Sequence, residues 1–258
     1  MSGKEELREE LLEKRRTLTP ESMVERSKKI FEQFLHNLNV FFYRFDSEPQ
    51  NAGKKPVIGM YSPIQNEVDI SYLVAHFRKL QYPIAYPKVL DDKEFRFFKT
   101  THDSKFVSKK FNIPEPDDAL EEVVPDLVVI PGVAFDIEGH RVGFGRGYFD
   151  NYLNLNREKL IAIGLAYDFQ VVNKIDNAEN DEPMDFVVSE SELIIPKFIT
   201  SDRIPEYYYQ HKKAIGVKLY SYEDATTNTT VFTRKKLLDR GYCCETGCRH
   251  CPYGFRRS

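Results

Sequence analysis

The chain has 258 residues, 41% of them hydrophobic, with 19 Phe, 15 Tyr and no Trp. That composition supplies a core and excludes a wholly disordered protein. No apolar run approaches the roughly 20 residues needed to cross a bilayer, so no membrane partner is expected. The N-terminal MSGKEELREELLEKRR lacks an apolar secretion core and is too acidic for a transit peptide. All four cysteines fall within residues 243–251, which leaves nothing before them to form a disulfide and implies a reducing compartment. A cytoplasmic protein is expected, with the mitochondrion left open. The net charge of −3 is unevenly spread: residues 201–258 hold 11 Lys/Arg against 6 Asp/Glu, leaving 26 against 34 before them.

Residues 4–17 read as a helix, with Leu7, Leu11 and Leu18 on one stripe. Lys4, Arg8 and Arg15 repeat that spacing on a second stripe, which from spacing alone is a solvated face. TPES at 19–22 starts another helix, Thr19 capping and Pro20 in the first turn. That helix points Met23, Ile30, Phe31, Phe34 and Leu35 toward a core. Residues 47–56 form a loop. Apolar runs at 57–61, 83–89, 126–132, 161–167 and 185–189 read as strands. Helical patterns at 70–80 and 148–156 lie between some of them. Short strands apolar on both faces, alternating with helices, imply an open, mostly parallel α/β sheet flanked by helices on both faces. Ligands bind such sheets beyond the carboxyl ends of the strands. The VVIPG strand reads as running into a glycine-rich loop, which places the loop on that rim. Beyond about residue 200, SDRIPEYYYQHKK has no clear period and TTNTT is turn-like. A boundary near 199–205 divides a body, 1–199, from a basic module, 200–258.

The loop itself, RVGFGRGYFD at 141–150, sets Gly143, Gly145 and Gly147 at every second position between Arg141 and Arg146. It lacks the Gly-Lys-Ser/Thr of a P-loop, and Tyr148 stands where a dinucleotide fingerprint needs its last glycine. Exposed amides before a helix, with two guanidiniums, suit an anion. By itself the pattern leaves a phosphate site and a tight turn equally open. Asp150 would repel a phosphate unless a divalent cation lay between them, so a nucleotide with Mg²⁺ is the coherent guest.

These residues carry a resemblance. KEELREELLEKRRTLTPES, IGMYSPIQNEVDI, KKFNIPEP, PDLVVIPGVAFDIEGHRVGFGRGYFDNYL and DEPMDFVVSE occur in the order found in the 5-formyltetrahydrofolate cyclo-ligase family, over about residues 1–196. Val142 stands for a usual leucine and Phe149 for a second tyrosine. The resemblance implies a Rossmann-like three-layer fold. It also implies ATP- and Mg²⁺-dependent conversion of 5-formyltetrahydrofolate to 5,10-methenyltetrahydrofolate, through phosphorylation of the formyl oxygen and ring closure. It assigns Lys4, Arg8 and the amides of Gly143, Gly145 and Gly147 to ATP, with Arg141 and Arg146 serving the transferred phosphate as catalytic and ATP-binding groups. Glu67 and Tyr148 would bind the folate, and Asp150 and Asp185 the Mg²⁺; without the resemblance, Asp185 reads as a solvated strand edge.

The tail RGYCCETGCRHCPYG resembles short cysteine-rich proteins of unknown function. Cys243, Cys244, Cys248 and Cys251 are candidate zinc ligands, although adjacent cysteines strain a tetrahedral site. An iron–sulfur centre and metal-less thiols stay open. The basic surplus leaves an RNA partner open for the tail, while nothing points to nucleic acid for the body. The rival to an enzyme is a non-catalytic folate- or nucleotide-binding scaffold carrying a metal- or RNA-binding cysteine module.

Overall fold

The computed structural model describes residues 3–90, 94–108, 113–117, 120–176, 181–200, 203–244, 246 and 248–253. Residues 109–112 of the KKFNIPEP motif and 201–202 of the expected boundary lie outside that set. The chain forms two compact units, 1–31 with 56–197 and 32–55 with 198–258. Sequence places its cut near 199–205; the segment 32–55, which it leaves in the body, clusters with the C-terminal residues.

In the first unit, α1 (Gly3–Arg16) and the start of α2 (Pro20–His36) form where the periodicity sets them. Thr19 caps α2, its Oγ1 accepting the Ser22 N–H at 3.2 Å. The strands follow as β1 (Ile58–Gly59), β2 (Ile84–Val89), β3 (Phe95–Thr100), β4 (Phe106–Ser108), β5 (Pro114–Pro116), β6 (Glu122–Val123), β7 (Leu127–Ile130), β8 (Ala134–Asp136), β9 (Arg141–Val142), β10 (Ile161–Leu165), β11 (Val171–Val172), β12 (Phe186–Val188) and β13 (Leu193–Ile194). Helices α5 (Ser71–Lys79) and α6 (Tyr148–Asn156) match their predicted spans closely.

Eight strands make one sheet in the order β13-β12-β10-β7-β1-β2-β3-β6. Its centre, β12 to β2, is parallel; β13 and β3 pair antiparallel with its two edges, and β6 pairs antiparallel with β3. Every residue of β7 and β10 is buried, as a sheet covered on both faces requires. Val128, Ile130, Ala162 and Val187 share one core cluster with Tyr152 and Leu153 of α6. Leu127, Val129, Ile161 and Ile163 alternate with them and are buried on the other face. A smaller sheet, β11-β8-β9, lies beside the large one. Phe135 packs it in place: a Cβ built on Gly164 would come within 2.4 Å of its ring.

The second unit contains the end of α2, α3 (Leu38–Phe41), α4 (Tyr43–Ser47), α7 (Glu206–Gly216), the hairpin β14 (Ser221–Asp224) and β15 (Thr229–Phe232), and α8 (Arg234–Asp239). The TTNTT turn closes the hairpin, where Asp224 accepts Thr226 N–H at 2.9 Å and the Thr227 hydroxyl at 3.0 Å. Helix α7 falls where the sequence shows no clear period. Its buried residues are His211 and Ala214 rather than a leucine stripe, and the His211 ring stacks on His250 at 3.4 Å. Among the described residues no helix is long and apolar enough to cross a membrane.

Candidate active site

The strand order reverses at β1: the chain passes to β2 on one side, then to β7, β10 and β12 on the other. Such a switch point opens a crevice at the strands' carboxyl ends. A cleft of about 570 Å³ lies there, lined by Tyr61 beyond β1, Pro87 and Val89 of β2, and Pro131 and Gly132 beyond β7. Lys4, Arg8, Glu67, Arg141, Gly143, Gly145, Arg146, Gly147, Tyr148 and Asp150 all line the same cleft. Every candidate of the body except Asp185 is thus brought together.

The glycine loop reaches the rim by a detour. The VVIPG strand does not feed it directly, because the β8–β9 hairpin intervenes. Asp136, fully buried, holds that hairpin by accepting the N–H groups of Glu138 and His140 at 2.9 Å each and of Ile175 at 2.8 Å. Arg141 leaves the hairpin on β9 and returns toward β7, its Nη1 donating to Pro131 O at 3.2 Å. Nη2 donates to Asp150 Oδ1 at 2.7 Å, and Nε is buried with no acceptor among the described residues. Gly145 and Gly147 adopt φ of +87° and +71°, the left-handed region in which an L side chain is strained. Gly147 also precedes the first residue of α6, so its turn aims a helix N-terminus into the cleft.

Helix α1 supplies the cations. Arg8 Nε donates to Gly143 O at 2.9 Å, and Lys4 pairs with Asp181. Arg15, 1% exposed, is the residue whose place in the site sequence missed. Its Nε donates to Gln65 O at 2.8 Å and its Nη1 to Gly132 O at 3.1 Å, while its guanidinium stands 5.4 Å from the Phe144 ring centre. Asn66 Nδ2 donates back to Arg15 O at 3.1 Å. Gln65 and Asn66 hold φ of +46° and +59°, a local strain that this clamp maintains. The turn so fixed presents Glu67. The Glu67 carboxylate accepts Ile64 N–H at 3.0 Å and is 6% exposed. Burial pushes its carboxyl up to about 7, against the opposing pull of the Ile64 N–H, Arg15 and Arg141. The signal for Arg15 was visible, since it shares the stripe of Lys4 and Arg8, but spacing cannot tell a buried cation from a solvated one.

Asp185 stands apart from the cleft-lining residues. Arg157 donates to its two oxygens at 2.7 and 2.9 Å, and Ala162 N–H to Oδ2 at 2.7 Å, at 1% exposure. The carboxylate ties β10 to the start of β12 and is not among the cleft-lining residues, so the Mg²⁺ role that the resemblance implies for Asp185 has no cleft contact behind it. Asp181, four residues earlier in the same DEPMD stretch, lines the cleft instead. Asp150 and Asp181 therefore place two hard oxygen donors at the cleft, the donor type Mg²⁺ takes. Glu115 of the NIPEP segment also lines it, 3% exposed, with an oxygen accepting Val89 N–H at 3.3 Å.

In the C-terminal unit the four candidate zinc ligands separate into pairs. Cys244 and Cys248 Sγ are 3.4 Å apart, and Cys243 and Cys251 Sγ 3.9 Å. Among the described residues the single cluster of three ligand groups within 4.8 Å is Asp136, Glu138 and His140, so no three thiols converge as a tetrahedral site demands. Adjacent Cys243 and Cys244 turn to different partners. The Asp136 cluster is an ordinary turn, its carboxylate engaged by the backbone bonds above and by His140 Nδ1 at 3.1 Å.

Comparison with known proteins matches residues 1–190 to the 5-formyltetrahydrofolate cyclo-ligase family and residues 210–257 to DUF5522, a family of unknown function. A 5-formyltetrahydrofolate cyclo-ligase of Mycoplasma pneumoniae is 33% identical over 168 residues, 65% of this chain and 87% of that protein. The NMR structure of an Aquifex aeolicus 5,10-methenyltetrahydrofolate synthetase superposes with a TM-score of 0.59 at 31% identity, covering 75% of this chain and 93% of the other. A Mycoplasma pneumoniae 5,10-methenyltetrahydrofolate synthetase structure gives 0.53 at 25% identity, covering 73% and 99%.

Proposed function

The chain belongs to the 5-formyltetrahydrofolate cyclo-ligase family, and from that premise we propose that its body converts 5-formyltetrahydrofolate to 5,10-methenyltetrahydrofolate at the expense of ATP. The observation that carries the proposal is the convergence of Lys4 and Arg8, Glu67, and the segment Arg141 to Asp150 on one cleft at the sheet's switch point. The formyl oxygen attacks the γ-phosphorus of ATP and ADP leaves. The second folate nitrogen then attacks the activated formyl carbon, closing the ring as that nitrogen's proton passes to solvent, the C–O bond breaks and phosphate departs. An amide oxygen leaves poorly, so its phosphorylation is the step that makes closure feasible.

Catalysis here is positioning and offsetting charge. The amides of Gly143, Gly145 and Gly147 face the phosphates, with Lys4 and Arg8 over the nucleotide. Arg141 and Arg146 offset charge on the transferred phosphoryl group. Glu67 accepts the N–H donors of the pterin, and Tyr148 lies against the folate. Asp150 and Asp181 would hold Mg²⁺, which when bound screens phosphate charge. Arg141 releases Asp150 as it turns to phosphate, so one ion pair couples the two sites. A cytoplasmic location fits the absence of cysteine before residue 243. The body, 1–199, carries this chemistry, and the module at 200–258 has a separate task.

The test is ATP-dependent formation of methenyltetrahydrofolate, followed by its absorbance, with purified full-length chain, 5-formyltetrahydrofolate and MgATP. Arg141→Ala is expected to lower kcat by about 100-fold or more. No ATP-dependent product from the unaltered chain, or unchanged kcat in the variant, overturns the reading.

A further inference from the structure

We infer that Cys244 and Cys248 form a thiol–disulfide exchange site, independent of the folate chemistry, whose substrate is a disulfide. Their sulfurs are 3.4 Å apart with no bond between them, so a bond of about 2.05 Å needs only a small approach of two side chains. Both are half-buried, whereas Cys251 of the neighbouring pair is 7% exposed. The accessible pair is also the polar one. Thr246 Oγ1 lies 2.8 Å from Cys244 Sγ and 3.6 Å from Cys248 Sγ. Arg240, at the end of α8, is braced by its Nε bond to Tyr242 O at 3.1 Å and by its place 5.1 Å from that ring's centre. Thr246, Cys248 and Arg240 all hydrogen-bond Cys244, and donors gathered on one sulfur stabilise its anion, which makes Cys244 the attacking sulfur.

The exchange balances without a metal. Cys244 thiolate attacks one sulfur of a disulfide R–S–S–R′, forming a mixed disulfide as R′S⁻ leaves and takes a proton from solvent. Cys248, losing its proton to solvent, then attacks the Cys244 sulfur and expels RS⁻. The Cys244–Cys248 pair is oxidised by two electrons and the substrate disulfide reduced to two thiols; a second dithiol restores the pair by the reverse exchange. A small disulfide and a protein disulfide share this chemistry.

The experiment equilibrates reduced full-length chain in buffers of reduced and oxidised glutathione and maps the cysteines by mass spectrometry. A reversible Cys244–Cys248 disulfide forming before any Cys243–Cys251 bond supports the site. Cys248→Ser should trap glutathione on Cys244, and Arg240→Ala should slow that capture by about 3–10-fold. If Cys243–Cys251 oxidises first, if glutathione reacts with neither Cys244 nor Cys248, or if the isolated chain holds a stoichiometric metal that closes the thiols until chelation, the proposal falls. Because the mapping uses the unaltered chain, it decides the matter even where a variant fails to fold. A small-disulfide substrate is distinguished by capture of oxidised glutathione at a rate matching that of a disulfide-bonded test protein; much faster reaction with the protein assigns a protein substrate.

Discussion

The burial of Glu67 can be measured by substituting glutamine. The folded chain holds this carboxyl at about 7 against an ordinary 4.5, with desolvation as the leading cause. At 1.36 kcal/mol per pH unit, that difference amounts to about 3 kcal/mol. Because the folded value is the higher one, the native state binds the proton more tightly. The associated stability is complete below about pH 4.5 and is lost as pH rises through about 7. Glu67→Gln is neutral throughout, nearly the same shape, and keeps an acceptor for the Ile64 N–H. The variant should therefore exceed the parent in stability by under about 1 kcal/mol at about pH 5 and by about 3 kcal/mol at about pH 8. In thermal unfolding the latter corresponds to roughly 6–12 °C for a chain of this size. The same change should lower kcat/KM for the folate by about 30–100-fold, since a charged hydrogen bond to the pterin is lost. An offset in stability of equal size at both pH values would falsify the claim that burial raises this carboxyl.

Three further outcomes are expected. With the Glu67 carboxylate as the competent form, kcat/KM for the folate should climb about tenfold per pH unit below about pH 7 and level off above it; a flat profile from about pH 5.5 to 8 excludes Glu67 from recognition. Arg157→Ala leaves the buried Asp185 without its cation and should cost about 3–5 kcal/mol in urea unfolding, while Asp185→Asn leaves the Mg²⁺ dependence of the reaction unaltered; a raised Mg²⁺ requirement would return Asp185 to the metal. Arg15→Met removes the bonds to Gln65 and Gly132 and should raise KM for the folate with a smaller change in kcat, because it loosens the turn that presents Glu67 without touching substrate. Unchanged KM in a folded variant would limit Arg15 to stability.

Much of the first unit was legible in the residues. The spans of α1, α5 and α6 follow from the 3.6 period, and the five central strands from short runs apolar on both faces, because each element's own sequence marks what it buries. The glycine loop stood out by its alternate glycines, although its residues alone left a tight turn and a phosphate site equally open. Chemistry that depends on direction was less legible. Asp181 and Asp185 lie in one short stretch, yet one lines the cleft and the other braces two strands. Arg15 shares its stripe with Lys4 and Arg8 but is buried where they meet the cleft. Segment 32–55 clusters with residues 198–258, a pairing that spans more than a hundred residues and leaves no local pattern.

Sequence by itself therefore determined the α/β layers, through local periodicity and short apolar runs, and the family, through the resemblance of its ordered motifs. Only the tertiary structure decided which carboxylates face the cleft, that Arg15 clamps the Glu67 turn, and that the four thiols separate into two pairs. Those outcomes turn on where a side chain points and what surrounds it, and the environment is assembled from segments far apart in the chain.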